Sequence, residues 1–112
     1  MNISGLKINS QSGKIYLFEG PFYSMWSMDE LKGLFLCYCE DGSSLRLVDI
    51  GEGSKLRSTL INKSQKDSLK KKCNGVIKFG QLLTPKLSKA ARKAIVSDIK
   101  KYYSVKEFKT KC

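Results

Sequence analysis

The sequence predicts a single α+β domain with a small, mainly antiparallel three-stranded sheet flanked by helices. Two apolar runs, 33–40 and 44–50, meet at Asp41-Gly42, and an Asp-Gly pair between apolar runs is the strongest short-range signal for a β-hairpin. A third apolar run at 75–83 ends at a Thr-Pro pair, and a helical pattern at 88–103 follows it. This order of elements favours helices that pack on one antiparallel sheet.

Two shorter elements precede the hairpin. Residues 14–22 begin with alternating polar and apolar side chains and stop at Gly20-Pro21, which indicates a strand or extended segment that ends in a turn. Residues 27–32 start with a serine, carry acids early and a lysine late, and therefore predict one or two helical turns.

The hairpin leads into a first helix. We interpret Gly51-Glu52-Gly53 as a turn, since no Gly-Lys-Ser/Thr follows it at the spacing of a phosphate-binding loop. Ser54 is then placed to cap a helix in which Leu56, Leu60 and Ile61 form one apolar stripe.

The helix at 88–103 has the clearest amphipathic pattern in the chain. Its predicted buried face recurs at intervals of three and four residues, and four basic residues lie off that face. The buried face consists of Leu87, Ala91, Ala94 or Ile95, Ile99 and Tyr102, and the basic residues are Lys89, Arg92, Lys93 and Lys100.

A chain of 112 residues with 41% apolar and 28% charged residues is an ordinary globular domain in size and composition. We expect one domain over 1–112, with its core at 14–103 and a loose basic tail at 104–112. No apolar run approaches the roughly 18 residues that span a bilayer. The first ten residues lack a positive region followed by an apolar stretch, so we expect a cytoplasmic protein.

The cysteines and histidines limit the possible chemistry. In a reducing compartment, Cys37, Cys39, Cys73 and Cys112 are expected to be thiols. The sequence has no histidine and no pair of cysteines at zinc-ligand spacing, so we predict no metal site and no other cofactor. The absence of histidine also excludes Ser-His-Asp and Cys-His nucleophilic sites.

Charge is unevenly distributed along the chain, whose 21 Lys and Arg and 10 Asp and Glu give a net charge of +11. Residues 1–53 hold four basic and seven acidic groups, a net charge of −3. Residues 54–72 hold seven basic and one acidic, net +6, and residues 85–112 hold nine and two, net +7. A basic surface of this kind attracts polyanions through counterion release, which predicts a nucleic-acid partner. The alternative interpretation is a solvated lysine surface with no binding role.

The hairpin and its flanks resemble the GIY-YIG endonuclease family. Gly33-Leu34-Phe35 stands at the family's first motif and Asp49-Ile50-Gly51 at its second, with a helix, a third strand and another helix following in the family's order. A small prokaryotic branch is more similar still, through Phe18-Glu19-Gly20-Pro21, the extension of the second motif to Gly53, and Cys73. The resemblance covers residues 14–103 and implies a GIY-YIG-like fold.

The positions at which the family carries its catalytic side chains are replaced. The first-motif Tyr, which lies at the scissile phosphate, and the second-motif Tyr, which supports it, correspond to Phe35 and Asp49. The essential Arg, eight residues after Gly51, corresponds to Thr59, although Arg57 lies two residues earlier.

The metal-binding Glu of the family corresponds to Val96, or to Ile95 with the register shifted by one, and neither side chain can ligate a divalent cation. In the closer branch an Asn-His pair follows the Arg helix, whereas here Asn62 is followed by Lys63. The resemblance therefore implies a nuclease scaffold without the nuclease chemistry.

We predict a catalytically inactive GIY-YIG-like domain that binds nucleic acid with low specificity, because lysine contacts are mostly to phosphate. One alternative is an inhibitor or immunity-type module that docks on an acidic protein. Another is a nuclease with a metal site rebuilt from Asp49, Glu52 and Asp98. The predicted phosphate contacts are Lys55, Arg57, Lys63, Lys66, Lys70, Lys71, Lys72, Lys89, Arg92 and Lys93.

Overall fold

The computed structural model describes residues 5–42, 44–67 and 73–105. These residues form five strands, one short 3₁₀ turn and two α-helices, which confirms the α+β class. In chain order the elements are β1 (Gly5–Asn9), β2 (Ile15–Phe22), the 3₁₀ turn (Met25–Ser27), β3 (Gly33–Asp41), β4 (Ser44–Gly53), α1 (Leu56–Asp67), β5 (Val76–Leu83) and α2 (Lys89–Val105).

One antiparallel sheet has the strand order β1-β2-β5-β3-β4, so the predicted three-stranded sheet is corrected to five strands. The predicted hairpin is confirmed as β3 and β4, and Gly42 takes a φ of 65° in its turn, a conformation that glycine adopts without steric cost. β5 inserts between β2 and β3, and residues 33–39 of β3 are buried because both faces of the sheet are covered there.

Each face of the sheet has its own core. On one face, α2 places Ile99 among Leu34, Leu36, Ile50 and the β1 side chains. On the other face, α1 packs against alternate residues of β3 and against the segment that follows β2. The buried members of this second core are Met28, Phe35, Cys37, Leu56, Leu60 and Phe79.

β1 is the strand that the sequence prediction missed. Leu6 and Ile8 are fully buried, so the core begins before the predicted start at residue 14. At the other end, α2 continues to Val105 instead of ending at residue 103, and the rest of the predicted tail, 106–112, lies outside the described residues.

Three local predictions are corrected. β2 does not stop at Gly20-Pro21 but continues to Phe22, since a register shift after Glu19 accommodates the proline. Residues 28–32 are not helical, and the 3₁₀ turn ends at Ser27. Gly51-Glu52-Gly53 is not a turn but the end of β4, because it pairs with residues 33–35 of β3.

Two cysteines form a disulfide, so the expectation that all four are thiols is wrong for Cys39 and Cys73. Cys39 lies in β3 opposite Ile77 of β5, and this pairing brings Cys73 just before β5 to a Cα–Cα distance of 5.5 Å. Cys37 is buried and is not part of this disulfide, and Cys112 lies outside the described residues.

Candidate anion-binding cleft

A cleft of about 260 Å³ opens between the two helices. It brings together Phe35, Gly51, Thr59 and Val96, four of the five positions that the resemblance aligns with family motifs, and the fifth, Asp49, is bonded to one of its lysines. The residues that line the cleft are Phe35 of β3, Ile50, Gly51 and Glu52 of β4, Thr59 and Lys63 of α1, and Lys93, Val96 and Lys100 of α2.

The floor of the cleft is built by strand pairing. Phe35 and Gly51 are direct partners in the β3–β4 ladder, and a Cβ at Gly51 would lie 2.6 Å from the Phe35 ring. Glycine is therefore required at this position because the aromatic ring occupies the space that a side chain would need.

The α2 wall of the cleft follows from helical spacing. Lys93, Val96 and Lys100 lie at intervals of three and four residues and therefore share one face of the helix. Both lysines are exposed, whereas Val96 is half-buried against the core. Lys100 was not among the predicted contacts, although its spacing from Lys93 and Val96 was a readable signal.

Asp49 and Lys63 form an ion pair beside the cleft. Lys63 Nζ lies 3.1 Å from Asp49 Oδ2 and 5.6 Å from the centre of the Phe35 ring. The same carboxylate also holds its own strand, since Asp49 Oδ1 accepts the N–H of Ile50 at 2.8 Å. The Lys63 charge is therefore balanced by Asp49.

Arg92 was predicted to contact phosphate, and the structure contradicts this. Its side chain is buried, donates from Nε to Glu52 Oε1 at 3.0 Å and donates from Nη1 to the Leu87 carbonyl at 3.0 Å. The prediction failed because Glu52 neutralises the guanidinium inside the fold, which a charge count along the sequence cannot show.

The two ion pairs leave the cleft with a net positive charge. Asp49 balances Lys63, and Glu52 balances Arg92. Lys93 and Lys100 have no hydrogen-bond or ion-pair partner among the described residues. Two positive charges thus face an open cavity with an apolar floor, an arrangement that attracts an anion.

The structure does not bring together the carboxylates of the hypothetical rebuilt metal site. Asp98 accepts the Ser12 N–H at 2.8 Å and the Ser12 hydroxyl at 2.6 Å, while Asp49 and Glu52 bind Lys63 and Arg92. Within the described ranges, no group of three or more His, Cys, Asp or Glu side chains is placed to hold a metal ion. The contacts of these three acids therefore do not support the relocated-metal alternative.

The remaining predicted contacts differ in accessibility. Lys55, Lys66 and Lys89 are exposed, and Arg57 is half-buried on α1. Lys70, Lys71 and Lys72 lie outside the described residues.

No family model, curated protein or solved structure matches this chain. Neither helix in the described part of the chain is long and apolar enough to cross a membrane. The fold and the cleft define an α+β domain with a cationic cleft between its helices.

Proposed function

We propose that the protein is a catalytically inactive, GIY-YIG-like domain that binds nucleic acid through its lysine-rich face, with the cleft as the centre of that face. The observation that carries the proposal is the composition of the cleft. Where the family resemblance expects Tyr, Arg and Glu, the cleft presents Phe35, Thr59 and Val96. It adds Lys93 and Lys100, which have no ion-pair partner within the part of the chain that the structure describes.

The lining residues support the absence of catalysis. Phe35 has no hydroxyl to act at a phosphate, Thr59 has no positive charge to stabilise a developing negative one, and Val96 has no oxygen to hold a metal. With Mg²⁺ or Mn²⁺, purified protein should cleave duplex, branched and single-stranded substrates no faster than a mock preparation. Divalent-dependent nicking that disappears in Asp49→Ala or Glu52→Ala would contradict this.

The charge of the cleft supports binding. Each phosphate that a cation neutralises on B-DNA contributes about 0.9 to the slope of log affinity against log salt. Lys93→Ala with Lys100→Ala should therefore lower the magnitude of the slope by up to about 1.8. Replacement of Lys70, Lys71 and Lys72 by alanine should lower it by up to about 2.7 if all three contact phosphate.

Fluorescence anisotropy with a labelled oligonucleotide over a range of salt concentrations measures both slopes. The matched control is Lys7→Ala with Lys14→Ala, which removes two exposed lysines from the acidic half of the chain and should change the slope little. If both lysine variants bind as the parent does at about 0.1 M salt, the lysines are a solvated surface and the proposal fails.

A second candidate, a module that docks on an acidic protein, is favoured by the exposed aromatic residues after β2. Tyr23 is 67% and Trp26 is 71% exposed, and aromatic residues of this size are enriched at protein interfaces. This candidate expects one partner at fixed stoichiometry whose binding is lost in Trp26→Ala but retained in Lys93→Ala with Lys100→Ala.

A cytoplasmic location remains part of the proposal, and the Cys39–Cys73 disulfide weighs against it. Disulfides persist in oxidising compartments and are rare where glutathione keeps thiols reduced. Thiol labelling of the protein in intact cells decides between a cytoplasmic and an oxidising compartment, since a cytoplasmic pool should carry Cys39 and Cys73 in reduced form.

A further inference from the structure

A groove of about 450 Å³, which shares no lining residue with the cleft, lies at the start of α1. Its lining comes from residues 30–32 before β3, residues 54–55 before α1, and residues 83 and 85 at the end of β5. Backbone hydrogen bonds join these stretches, since the Leu31 carbonyl accepts the Leu56 N–H at 3.1 Å and the Lys32 carbonyl accepts the Thr84 N–H at 2.9 Å. The shape of the groove is therefore fixed by backbone contacts that side-chain substitutions keep.

The apolar lining of this groove is accessible from outside the protein. Leu31 is 55% exposed, Pro85 is exposed, and Leu83 is half-buried against the core that α1 covers. The volume lies within the range of about 300–1,000 Å³ that is typical of ligand pockets, and a leucine or phenylalanine side chain fits into it. The groove can therefore take an apolar side chain from a partner.

The open part of the sheet extends this apolar surface. Phe18 of β2 packs in the core that α2 covers, so its neighbour Leu17, which is 60% exposed, points to the opposite face, where α1 lies. Because Glu19 pairs with Gln81 in an antiparallel ladder, Leu17 lies toward the end of β5 that carries Leu83. The apolar surface is therefore larger than the groove alone.

Lysines surround this apolar surface. Lys32 and Lys55 line the groove, and Lys7 pairs with Leu17 in the β1–β2 ladder. All three lysines are exposed, and none forms an ion pair within the part of the chain that the structure describes. Glu30, the acid in the lining, has its carboxylate bonded to the first turn of α1. The surface therefore combines apolar contacts with an excess of positive charge.

We infer that this groove is a docking site for an acidic segment of another protein, which inserts an apolar side chain beside Leu31 and places carboxylates at Lys32 and Lys55. The inference rests on the second candidate function, docking on an acidic protein, and gives that candidate a site separate from the cleft.

Charge decides which partner fits the groove. A second copy of the chain, with its net charge of +11, would bring one set of lysines against another, and like charges across an interface oppose association. An acidic partner is attracted by the same lysines, which raises its association rate. The concave shape of the groove favours an inserted side chain over the flat surface of a membrane.

The test selects partners by their chemistry. A phage library of random short peptides is selected on the immobilised full chain, and the enriched peptides should combine a large apolar residue with several acids. In an NMR spectrum of methyl groups, such a peptide should shift the signals of Leu31 and Leu83.

Three variants assign the binding to the groove. Leu31→Ser removes the apolar wall but keeps the backbone contact to α1, and it should weaken binding of the selected peptide by about 30-fold, the size of an interface hot spot. Lys32→Ala with Lys55→Ala should slow association and reduce its salt dependence. The matched control, Lys93→Ala with Lys100→Ala, removes the same charge from the cleft and should leave peptide binding unchanged.

Several results would overturn the inference. These are enrichment of no peptide, enriched peptides without acids, and methyl shifts confined to residues outside the groove. Binding of the chain to vesicles of anionic phospholipid that is lost in Leu31→Ser would assign the groove to a membrane surface instead. If Leu31→Ser loses its fold by circular dichroism, the methyl shifts of the parent protein decide alone.

Failure of the inference can be told apart from failure of either function. Peptide binding that is lost in Trp26→Ala and kept in Leu31→Ser overturns the groove but leaves the acidic-partner candidate intact, with its site at the exposed aromatic residues. The salt slopes of the cleft variants test nucleic-acid binding independently of every peptide result.

Discussion

Each of the two helices is attached to the rest of the fold by a contact between a carboxylate and a serine, but α1 supplies the serine and α2 supplies the carboxylate. In each case a carboxylate accepts both the N–H and the hydroxyl of one serine. In α1 the helix supplies Ser58, and Glu30 reaches it from the segment before β3, with an N–O distance of 2.9 Å. In α2 the helix supplies Asp98, and Ser12 comes from the turn between β1 and β2.

The two helices differ in where the cap of their first turn comes from. Glu30 satisfies an amide in the first turn of α1, where amides have no partner within the helix, so α1 takes its cap from a residue 28 positions earlier. α2 has a serine cap of its own, since Ser88 Oγ accepts the Ala91 N–H at 3.1 Å, and it holds a distant turn in place instead. The first turn of α1 is therefore capped by a distant residue and that of α2 by the serine that directly precedes it.

The largest expected effect is on the α2 wall. Arg92→Met leaves Glu52 partly buried without its partner and the Leu87 carbonyl without its donor, so the free energy of unfolding should fall by about 3–5 kcal/mol. Urea denaturation measures the loss. The folded fraction should bind nucleic acid with an unchanged salt slope, because the buried guanidinium contacts no phosphate.

The matched control combines Arg92→Met with Glu52→Leu. Removal of both charges leaves neither one unpaired, so the double variant should recover most of the loss. A double variant that is less stable than Arg92→Met would show that the stability does not come from charge pairing.

The next effect tests the α1 wall. The disulfide closes a loop of 34 residues that contains α1, and chain-entropy arguments give about 3–4 kcal/mol for a loop of that length. Cys39→Ser with Cys73→Ser should lower the free energy of unfolding by that amount. The parent protein under reducing conditions should match the variant, and reductant should leave the variant unchanged.

A smaller effect is expected in the pH dependence of stability, which compares the carboxylate contacts of Glu30 and Asp98. The Ser58 hydroxyl and N–H lower the pKa of Glu30 in the folded state, and Ser12 does the same for the pKa of Asp98. Stabilisation from a lowered pKa is fully present above the unfolded pKa, near 4.5 for Glu and 3.8 for Asp, and is lost as pH falls through the folded pKa.

Glu30→Gln and Asp98→Asn should therefore be less stable than the parent at pH 7 and should approach it under strongly acidic conditions. Urea midpoints over a pH series measure this. If α1 depends more on its external contact, Glu30→Gln should lose more helical signal than Asp98→Asn, and equal losses would break the comparison.

Most of the fold could be predicted because its signals are local. The Asp41-Gly42 turn and the spacing of Ile99 within α2 depend on neighbouring residues alone, and both were confirmed. β1 was missed although Leu6 and Ile8 alternate with polar residues, since a strand of five residues at the chain terminus gives a weak pattern. The end of β4 was mistaken for a turn because glycines that make room for Phe35 and Thr59 look the same in a sequence as glycines that bend the chain.

The sequence predicted candidate residues but not the cleft or its charges. Phe35, Gly51, Thr59 and Val96 line one cleft, which a linear pattern cannot show because they come from four different elements. Partners of charged residues lie far apart in sequence, such as Glu52 and Arg92 at a separation of 40. A sequence therefore shows where lysines and arginines occur but not which of them remain unpaired, and Arg92 and Lys100 were misjudged for that reason.

The smallest effect concerns the residue that connects the two walls. Thr84 donates its N–H to the carbonyl of Lys32, and its own carbonyl accepts the N–H of Leu87 just before α2. Its buried hydroxyl has no hydrogen-bond partner among the described residues. Thr84→Val keeps the shape and both backbone contacts and removes the unpaired hydroxyl, so it should raise the free energy of unfolding by about 1 kcal/mol. Thr84→Ser keeps the hydroxyl, removes a methyl group and should be less stable than the parent in the same urea titration. A destabilised Thr84→Val would show that the hydroxyl is bonded and that this connection is a polar contact like those of Glu30 and Asp98.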